Sequence, residues 1–225
     1  MYTGEVNDKQ RPSFYPPAEE RINIISHALG LFFSVVGVVF LVVKAATYGS
    51  AVHIVSVSVF GASLIALYTS STIYHSATDP TIRKALRTVD HSAIYVLIAG
   101  TYTPFALVTL GGALGWTIFG LTWGMAVAGI TLKLFFTGRF DRLSTSMYVF
   151  MGWMIVFAIK PLIAALSSQG LALLAAGGIA YTVGALLYSI KKMPFGHAAF
   201  HLLVLAGSAC HFVAVYFFVL PASNS

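Results

Sequence analysis

The sequence predicts an all-α integral membrane protein, a seven-transmembrane helix bundle with its N-terminus in the cytoplasm and its C-terminus outside. The composition is the first observation: 58% of the 225 residues are hydrophobic, 9% are charged and the mean hydropathy is +0.85. Soluble domains carry roughly 25% charged residues. The other two observations are repeated apolar runs of spanning length and basic residues confined to alternate connections.

Apolar runs of about 20 residues, the length that crosses a hydrocarbon core, define the spans. The predicted spans are 22–46, 52–75, 88–110, 113–136, 144–165, 169–190 and 195–220. The Gly111-Gly112 pair predicts a turn between the third and fourth spans, and Pro161, which lacks an N–H, predicts an end or a kink in the fifth. We therefore divide the chain into a short flexible cytoplasmic tail (1–19), a transmembrane domain (20–221) and a C-terminal tail (222–225).

The distribution of Lys and Arg predicts the orientation. Most of the 13 basic residues fall on the side of the N-terminus: Lys9, Arg11, Arg21, Arg83, Lys84, Arg87, Lys133, Arg139, Arg142, Lys191 and Lys192. Only Lys44 and Lys160 fall on the other side. Cytoplasmic loops carry the excess of positive charge, so the N-terminus is predicted to be cytoplasmic. The net charge of +6 thus follows membrane topology and does not indicate a nucleic-acid partner.

His197 and His201 open the last span four residues apart. At 3.6 residues per turn such a pair projects from one helix face, so two imidazoles can hold one metal ion, as half of a zinc site. The alternative is a pair of core histidines that are hydrogen-bonded to a neighbouring helix. The spacing alone leaves both interpretations open.

Three further polar residues are predicted at the same cytoplasmic end of the bundle. His75 closes the second span, Ser71 precedes it by one helical turn, and Asp90 opens the third span after a short basic loop. A carboxylate and several imidazoles at the edge of the hydrocarbon are costly unless they pair or bind metal, so we predict a functional cluster. Alternatively, Asp90 is a helix cap or a salt-bridge partner of Arg87 or Arg83, and Ser71 bonds to its own backbone.

His27 and His211 also lie inside predicted spans. His27, in the cytoplasmic half of the first span, either supports the cluster, paired with Glu20, or makes a structural hydrogen bond. His211 is ten residues past His201, roughly 15 Å deeper at 1.5 Å per residue, and is predicted to form an interhelical hydrogen bond.

Several separated blocks of the sequence resemble one family from Glu20 onwards. The blocks are Ser71-Thr72-Ile73-Tyr74-His75, Asp90, His197-x-x-x-His201 and His211-Phe212. They resemble the progestin and adiponectin receptor and hemolysin III family of seven-span proteins. Glu20-Arg21-x-Asn23-x-x-Ser26-His27 and the short tail are similar to the bacterial hemolysin III branch in particular.

The resemblance implies a zinc ion held by His75, His197 and His201, with Asp90 and Ser71 around the metal-bound water. It also implies kinship with alkaline ceramidases, which are membrane zinc amidases, and a location in a bacterial cell membrane. On this basis we predict a zinc-dependent hydrolase that cleaves lipid amide or ester bonds near the cytoplasmic leaflet. Asp90 would then handle the proton of the water and Ser71 would stabilise the oxyanion.

Two other functions remain as alternatives. The first is a receptor or lipid sensor in which zinc joins the spans without turnover. The second is a membrane-lytic hemolysin, which is less well supported because a pore needs a water-lined path and the polar residues cluster at one end. For all three functions the expected partners are membrane lipids. The hydrolase would also bind a lipid-like substrate, and the sensor a lipid-like ligand.

Overall fold

The computed structural model describes residues 14–136, 141–190 and 193–222, and the regular structure in these ranges is helical. The helices are α1 (Pro17–Tyr48), α2 (Ala51–Ser76), α3 (Pro80–Pro104), α4 (Gly112–Phe136), α5 (Asp141–Trp153), α6 (Ile159–Ala165), α7 (Ser168–Ser189) and α8 (Gly196–Ala214). A π-helical segment, Phe105–Leu110, continues α3, a 3-10 segment, Met154–Ala158, joins α5 to α6, and a π-helical segment, Val215–Val219, extends α8.

Seven helical segments of the described chain are long and apolar enough to cross a membrane, with α5, the 3-10 segment and α6 forming one of them. This confirms the predicted seven-span, all-α architecture. The orientation of the ends stays a prediction. Five of the basic residues on which it rests, Lys9, Arg11, Arg139, Lys191 and Lys192, lie outside the described residues, as do 223–225 of the predicted C-terminal tail.

Two helices begin earlier than their predicted spans. Helix α1 begins at Pro17, which suits the first helical position because its missing N–H has no intrahelical partner there. Residues 17–19 therefore belong to the helix and not to the tail. Helix α3 begins at Pro80, because the Asp79 carboxylate caps it by accepting hydrogen bonds from the backbone N–H groups of Thr81 (2.8 Å) and Ile82 (3.0 Å).

The predicted basic loop after the second span is consequently helical. Arg83 and Arg87 lie one turn apart in α3, and both are buried. The boundary was predicted too late because hydropathy registers only the apolar part of a helix, whereas α3 starts with about two amphipathic turns outside the apolar run.

Helix interruptions occur near the positions that the sequence predicted. Gly111 and Gly112 have φ values of 61° and 53°, a left-handed turn that glycine adopts without strain. Pro161 does not end the fifth span, which is interrupted just before it by the 3-10 segment and continues to Ala165. The Tyr102 hydroxyl forms hydrogen bonds with backbone groups beside this interruption. It donates to Gly152 O (2.9 Å) and accepts from Ile155 N (2.8 Å).

The helices close into a bundle because α1 packs against both α2 and α8, while α2 packs on α3 and α7 on α8. The start of α1, the end of α2 and the starts of α3 and α8 therefore meet at one end of the molecule. Large apolar side chains point outward, as expected of a surface that faces lipid, among them Phe33, Phe40, Leu134, Phe135 and Phe157. This architecture, with seven apolar spans, is that of a multi-pass membrane protein.

Candidate metal centre

Three histidine rings from α2 and α8 meet at this end of the bundle. His75 Nε2 lies 3.1 Å from His197 Nε2, and His201 Nε2 lies 3.0 Å from the same atom. Ligand atoms of all three residues lie within 4.8 Å of one another, and the residues are 3%, 7% and 2% exposed. Zinc–nitrogen bonds of about 2.0–2.1 Å in a tetrahedron hold their nitrogen atoms about 3.3 Å apart, so one cation fits among them.

The hydrogen bonds on the far side of two rings decide which nitrogen atoms carry protons. His75 Nδ1 donates to Glu20 Oε2 (2.7 Å), and His201 Nδ1 donates to the backbone carbonyl of Asn23 (3.3 Å). In the neutral imidazole the opposite nitrogen is then an acceptor. A single proton on His197 Nε2 cannot serve two acceptors well, whereas a cation satisfies three converging lone pairs. The donor set could therefore hold a metal ion.

Glu20 and Arg83 hold the end of α2 in place. Glu20 Oε1 pairs with the Arg83 guanidinium, which is 1% exposed. Arg83 Nη1 also donates to the carbonyls of Tyr74 (3.2 Å), His75 (3.2 Å) and Ala77 (3.0 Å), so it covers carbonyl groups at the C-terminus of the helix that carries His75. The guanidinium thus positions both His75 and the carboxylate that orients it.

The beginning of α8 is held by the N-terminal segment. Glu19 Oε1 accepts from the backbone N–H groups of His197 (3.1 Å) and Ala198 (3.4 Å), which have no partner within the helix. The ring of Tyr15 stacks on His197, with 4.4 Å between centroids and an angle of 14°. Burial raises the pKa of the Tyr15 phenol above its usual range, so this ring covers the centre as a neutral group.

His27 reaches the centre but does not pair with Glu20. Its ring stacks on that of His201, with centroids 3.6 Å apart and an angle of 13°, and neither ring nitrogen has a hydrogen-bond partner. The predicted pairing with Glu20 is wrong because the two residues are seven positions, about 10 Å, apart along α1, and Glu20 is engaged by His75 and Arg83. The structural hydrogen bond considered as the alternative is also absent.

Asp90 and Ser71 lie beside the histidines on the wall of a cavity that His27 and His201 also line. Ser71 is next to the Asp90 carboxylate, yet its hydroxyl has no partner at normal hydrogen-bond distance, its own backbone included. The neighbouring Ser70 does bond to its helix, at Leu67 O (2.9 Å). Asp90 lies eleven residues inside α3, where Asp79 is the cap, so the capping alternative is wrong. Arg87 remains a charged neighbour of Asp90.

The cavity has a volume of about 350 Å³ and runs along α3 from Asp90 to Phe105. Fifteen residues of helix correspond to roughly 22 Å, so the cavity is elongated along the bundle axis. Apolar residues of α3, α6, α7 and α8 form most of its wall. Trp153, Val156, Ile159 and Ile163 line it and are also 39–58% exposed on the outer surface. The cavity therefore extends to the lipid-facing side of the fifth span.

Sequence reasoning missed four residues that contact the centre: Tyr15, Glu19, Asn23 and Arg83. Glu19 and Arg83 could have been suspected because charges are rarely buried without a role. Asn23 contributes through a backbone carbonyl and Tyr15 through stacking, and neither contact has a sequence signal. His211 behaves as predicted, with Nε2 donating across to Leu174 O of α7 (3.2 Å).

A family profile and two relatives found by comparison with known proteins point to the same family. The profile of a family described as "Haemolysin-III related" matches residues 16–212, which include every residue of the candidate metal centre described above except Tyr15. The chain is 47% identical over 206 residues to "Hemolysin-3" of Bacillus cereus, covering 92% of this chain and 94% of the relative. It is 50% identical over 200 residues to "Hemolysin-3 homolog" of Bacillus subtilis (strain 168), covering 89% and 94%.

This chain also has a more distant similarity to a human protein. The "Monocyte to macrophage differentiation factor" of Homo sapiens is 26% identical over 226 residues, covering 93% of this chain and 87% of the relative.

Proposed function

Because this chain belongs to the haemolysin-III related family, we propose that it is a zinc-dependent membrane hydrolase that cleaves lipid amide or ester bonds. The observation that carries the proposal is the convergence of three imidazoles, with His197 Nε2 3.1 Å from His75 Nε2 and 3.0 Å from His201 Nε2, beside an acid and a hydroxyl on the wall of an apolar cavity. A metal ion that only joined helices would not need a neighbouring acid and hydroxyl, nor an apolar cavity beside it.

His75, His197 and His201 would hold the zinc ion. Three protein ligands are typical of catalytic zinc, which keeps one position for water or substrate, whereas structural sites use four. When bound, zinc supplies Lewis acidity and activates water at neutral pH. Three imidazole ligands favour zinc over magnesium or calcium, which prefer oxygen ligands.

Asp90 would move the proton in the reaction. Hydrolysis adds water to the carbonyl carbon and breaks its bond to nitrogen or oxygen, giving a carboxylic acid and an amine or alcohol. Asp90 would take a proton from the water and deliver it to the leaving nitrogen or oxygen, so that protons balance. Its place outside the group of three ligand residues suits this role better than metal ligation.

Ser71 would donate a hydrogen bond to the carbonyl oxygen as negative charge develops on it. Its hydroxyl is placed to do so because it is buried, lines the cavity beside Asp90 and makes no hydrogen bond to its own helix. A donor that is already oriented in an apolar surrounding is worth more than one in water.

The substrate would enter sideways from the bilayer. The elongated apolar cavity suits an acyl chain, and its extension to the outer surface near Ile159 and Ile163 offers a route from lipid. If the N-terminus is cytoplasmic, as the basic residues predict, the scissile bond lies near the cytoplasmic leaflet of the cell membrane.

Substitution of Asp90 by Asn tests the proposal most directly. Asp90→Asn keeps the size of the side chain but cannot take a proton, so we expect bound zinc to equal that of the unsubstituted protein and turnover to fall at least 100-fold. Zinc is measured by elemental analysis of the purified protein. Turnover is measured by lipidomic comparison of membranes incubated with each variant.

Asp79→Asn is the matched control, because it makes the same change in the same helix, away from the cavity. A lipid profile that the unsubstituted protein leaves unchanged would refute hydrolysis, and equal hydrolysis by the unsubstituted protein and Asp90→Asn would refute the role of Asp90. Equal zinc in the unsubstituted protein and in His197→Ala would refute the ligand assignment.

A zinc-containing lipid sensor without turnover is the second candidate. It is favoured by the contacts of Tyr15 and Glu19 with His197 and the start of α8, which join the N-terminal segment to the helix that lines the cavity. Lipid binding without any lipid cleavage would support it. A lytic function rests on the names of the Bacillus relatives, and dye release from protein-free vesicles by the purified protein would revive it.

A further inference from the structure

A second polar group lies deep in the same cavity, far from the histidine centre. Thr101 and His211 both line the cavity and are 6% and 5% exposed. Thr101 is eleven residues past Asp90 in α3, and His211 is ten past His201 in α8, so each lies roughly 15 Å along the bundle from the centre. Phe105, one turn after Thr101, contacts the His211 ring with 6.5 Å between centroids. The two residues therefore lie at similar depth.

The His211 ring presents a fixed acceptor to this region. Nε2 donates to Leu174 O (3.2 Å), which makes Nδ1 the lone-pair atom of the neutral ring. Nδ1 is buried and has no hydrogen-bond partner. The ring can adopt this position because α7 has Gly177 beside it: a Cβ there would lie 2.4 Å from Nε2.

Thr101 adds a hydroxyl that its own helix does not use. Threonine within a helix commonly donates to the carbonyl four residues earlier, as Thr72, Thr103 and Thr122 do here. The Thr101 hydroxyl is buried and has no partner. A buried acceptor and a buried hydroxyl on the wall of an apolar cavity are costly unless a further group joins them.

We propose that Thr101 and His211 form a subsite for a hydroxyl group within the acyl chain of the ligand. Such a hydroxyl donates its proton to His211 Nδ1 and accepts a hydrogen bond from the Thr101 hydroxyl. The inference rests on the proposed function for the identity of the ligand as an acyl lipid, and it adds that the preferred chain is hydroxylated at a distance from its carboxyl end. A plain chain leaves both polar atoms unpaired, so the cavity discriminates against it.

Equilibrium binding of radiolabelled fatty acids to the purified, detergent-solubilised protein tests the subsite without requiring turnover. The probes are stearic acid and a series of hydroxystearic acids with the hydroxyl at successive mid-chain positions. We expect one narrow range of positions to bind about tenfold more tightly than stearic acid. His211→Phe, which keeps a ring of similar shape, is expected to bind both kinds of acid equally. Thr101→Val is expected to reduce the preference, whereas the control Thr103→Val leaves it intact.

Equal affinity of the unsubstituted protein for stearic acid and for every hydroxystearic acid would overturn the subsite, and would indicate that water pairs with these two residues instead. A preference that survives both His211→Phe and Thr101→Val would also overturn it. If His211→Phe fails to fold, Thr101→Val alone carries the test. Absence of lipid hydrolysis would refute the proposed function but would leave the binding preference intact. Hydrolysis without a preference for hydroxylated acids would support the proposed function but refute the subsite.

Discussion

The Glu20 carboxylate accepts a hydrogen bond from His75 Nδ1 and pairs with Arg83, although the three residues lie in three different helices. Hydrogen bonding of this kind fixes the tautomer and the direction of a metal-binding imidazole. The affinity of the centre is therefore expected to depend on groups that do not touch the metal.

Glu20→Gln tests this dependence at the residue scale. The amide cannot match the charge-assisted bond to His75, and it leaves Arg83 without its anionic partner, so we expect metal affinity to fall about 10–100-fold. Metal retention is measured by titration of the purified protein with a chelator. Asp79→Asn is the control, because Asn caps α3 as well as Asp does and the residue lies apart from the histidines. Equal chelator sensitivity of Glu20→Gln and the unsubstituted protein would contradict the assignment.

At the scale of the element, the end of α2 and the start of α8 are each completed by a side chain from elsewhere. Arg83 of α3 covers carbonyl groups of α2, and Glu19 of α1 accepts from N–H groups of α8. Phe195, which precedes α8, has a left-handed φ of 55°, a conformation that costs a non-glycine residue about 1–2 kcal/mol. The contacts of Arg83 and Glu19 therefore fix the positions of the two helix ends that carry the histidines.

Arg83→Lys is expected to loosen the end of α2. An ammonium cannot reproduce the planar array that reaches three carbonyls and Glu20, so we expect a loss of about 1–3 kcal/mol and a lower apparent Tm. The measurement is thermal unfolding in detergent. Lys84→Arg, the reciprocal exchange at an exposed neighbouring residue, is the control. A Tm equal to that of the unsubstituted protein would show that the buried guanidinium is not needed there.

At the scale of the whole molecule, the proposed zinc ion joins α2 to α8, which are distant in sequence. A ligand that binds only the folded state stabilises it by mass action, by about 4 kcal/mol at a thousandfold excess over Kd. We therefore expect chelation to lower the apparent Tm of the purified protein and added zinc to restore it. His197→Ala should show a low Tm that neither treatment changes. A chelator effect of equal size in His197→Ala would locate the metal elsewhere.

The orientation of the bundle is also a property of the whole molecule. With seven spans the two ends lie on opposite sides, and the basic residues predict a cytoplasmic N-terminus. In intact spheroplasts, an external protease is expected to remove a tag at the C-terminus and to leave a tag at the N-terminus untouched. The opposite pattern would place the histidine centre at the outer leaflet and would refute the cytoplasmic site of action.

Much of the candidate site could be predicted because its strongest signals are local. His197 and His201 share a face at any register of a helix, and Ser71 and His75 do so for the same reason. The proposed pairing of His27 with Glu20 failed because the two residues lie about 10 Å apart along α1, and Glu20 is engaged by side chains of two other helices. Thr101 carried no signal at all, since only the path of the cavity distinguishes it from Thr103.

The amino-acid sequence by itself determined the class of the molecule, its seven spans and the end of the bundle where the polar residues gather. These follow from hydropathy and helical periodicity, which act over a few turns of chain. Only the tertiary structure decided that the rings of His75, His197 and His201 converge, that Glu20, Arg83 and Glu19 hold them, and that a cavity leads from them to His211. Such contacts join residues 55 to 178 positions apart, and they depend on how the helices rotate and pack, which no local pattern encodes.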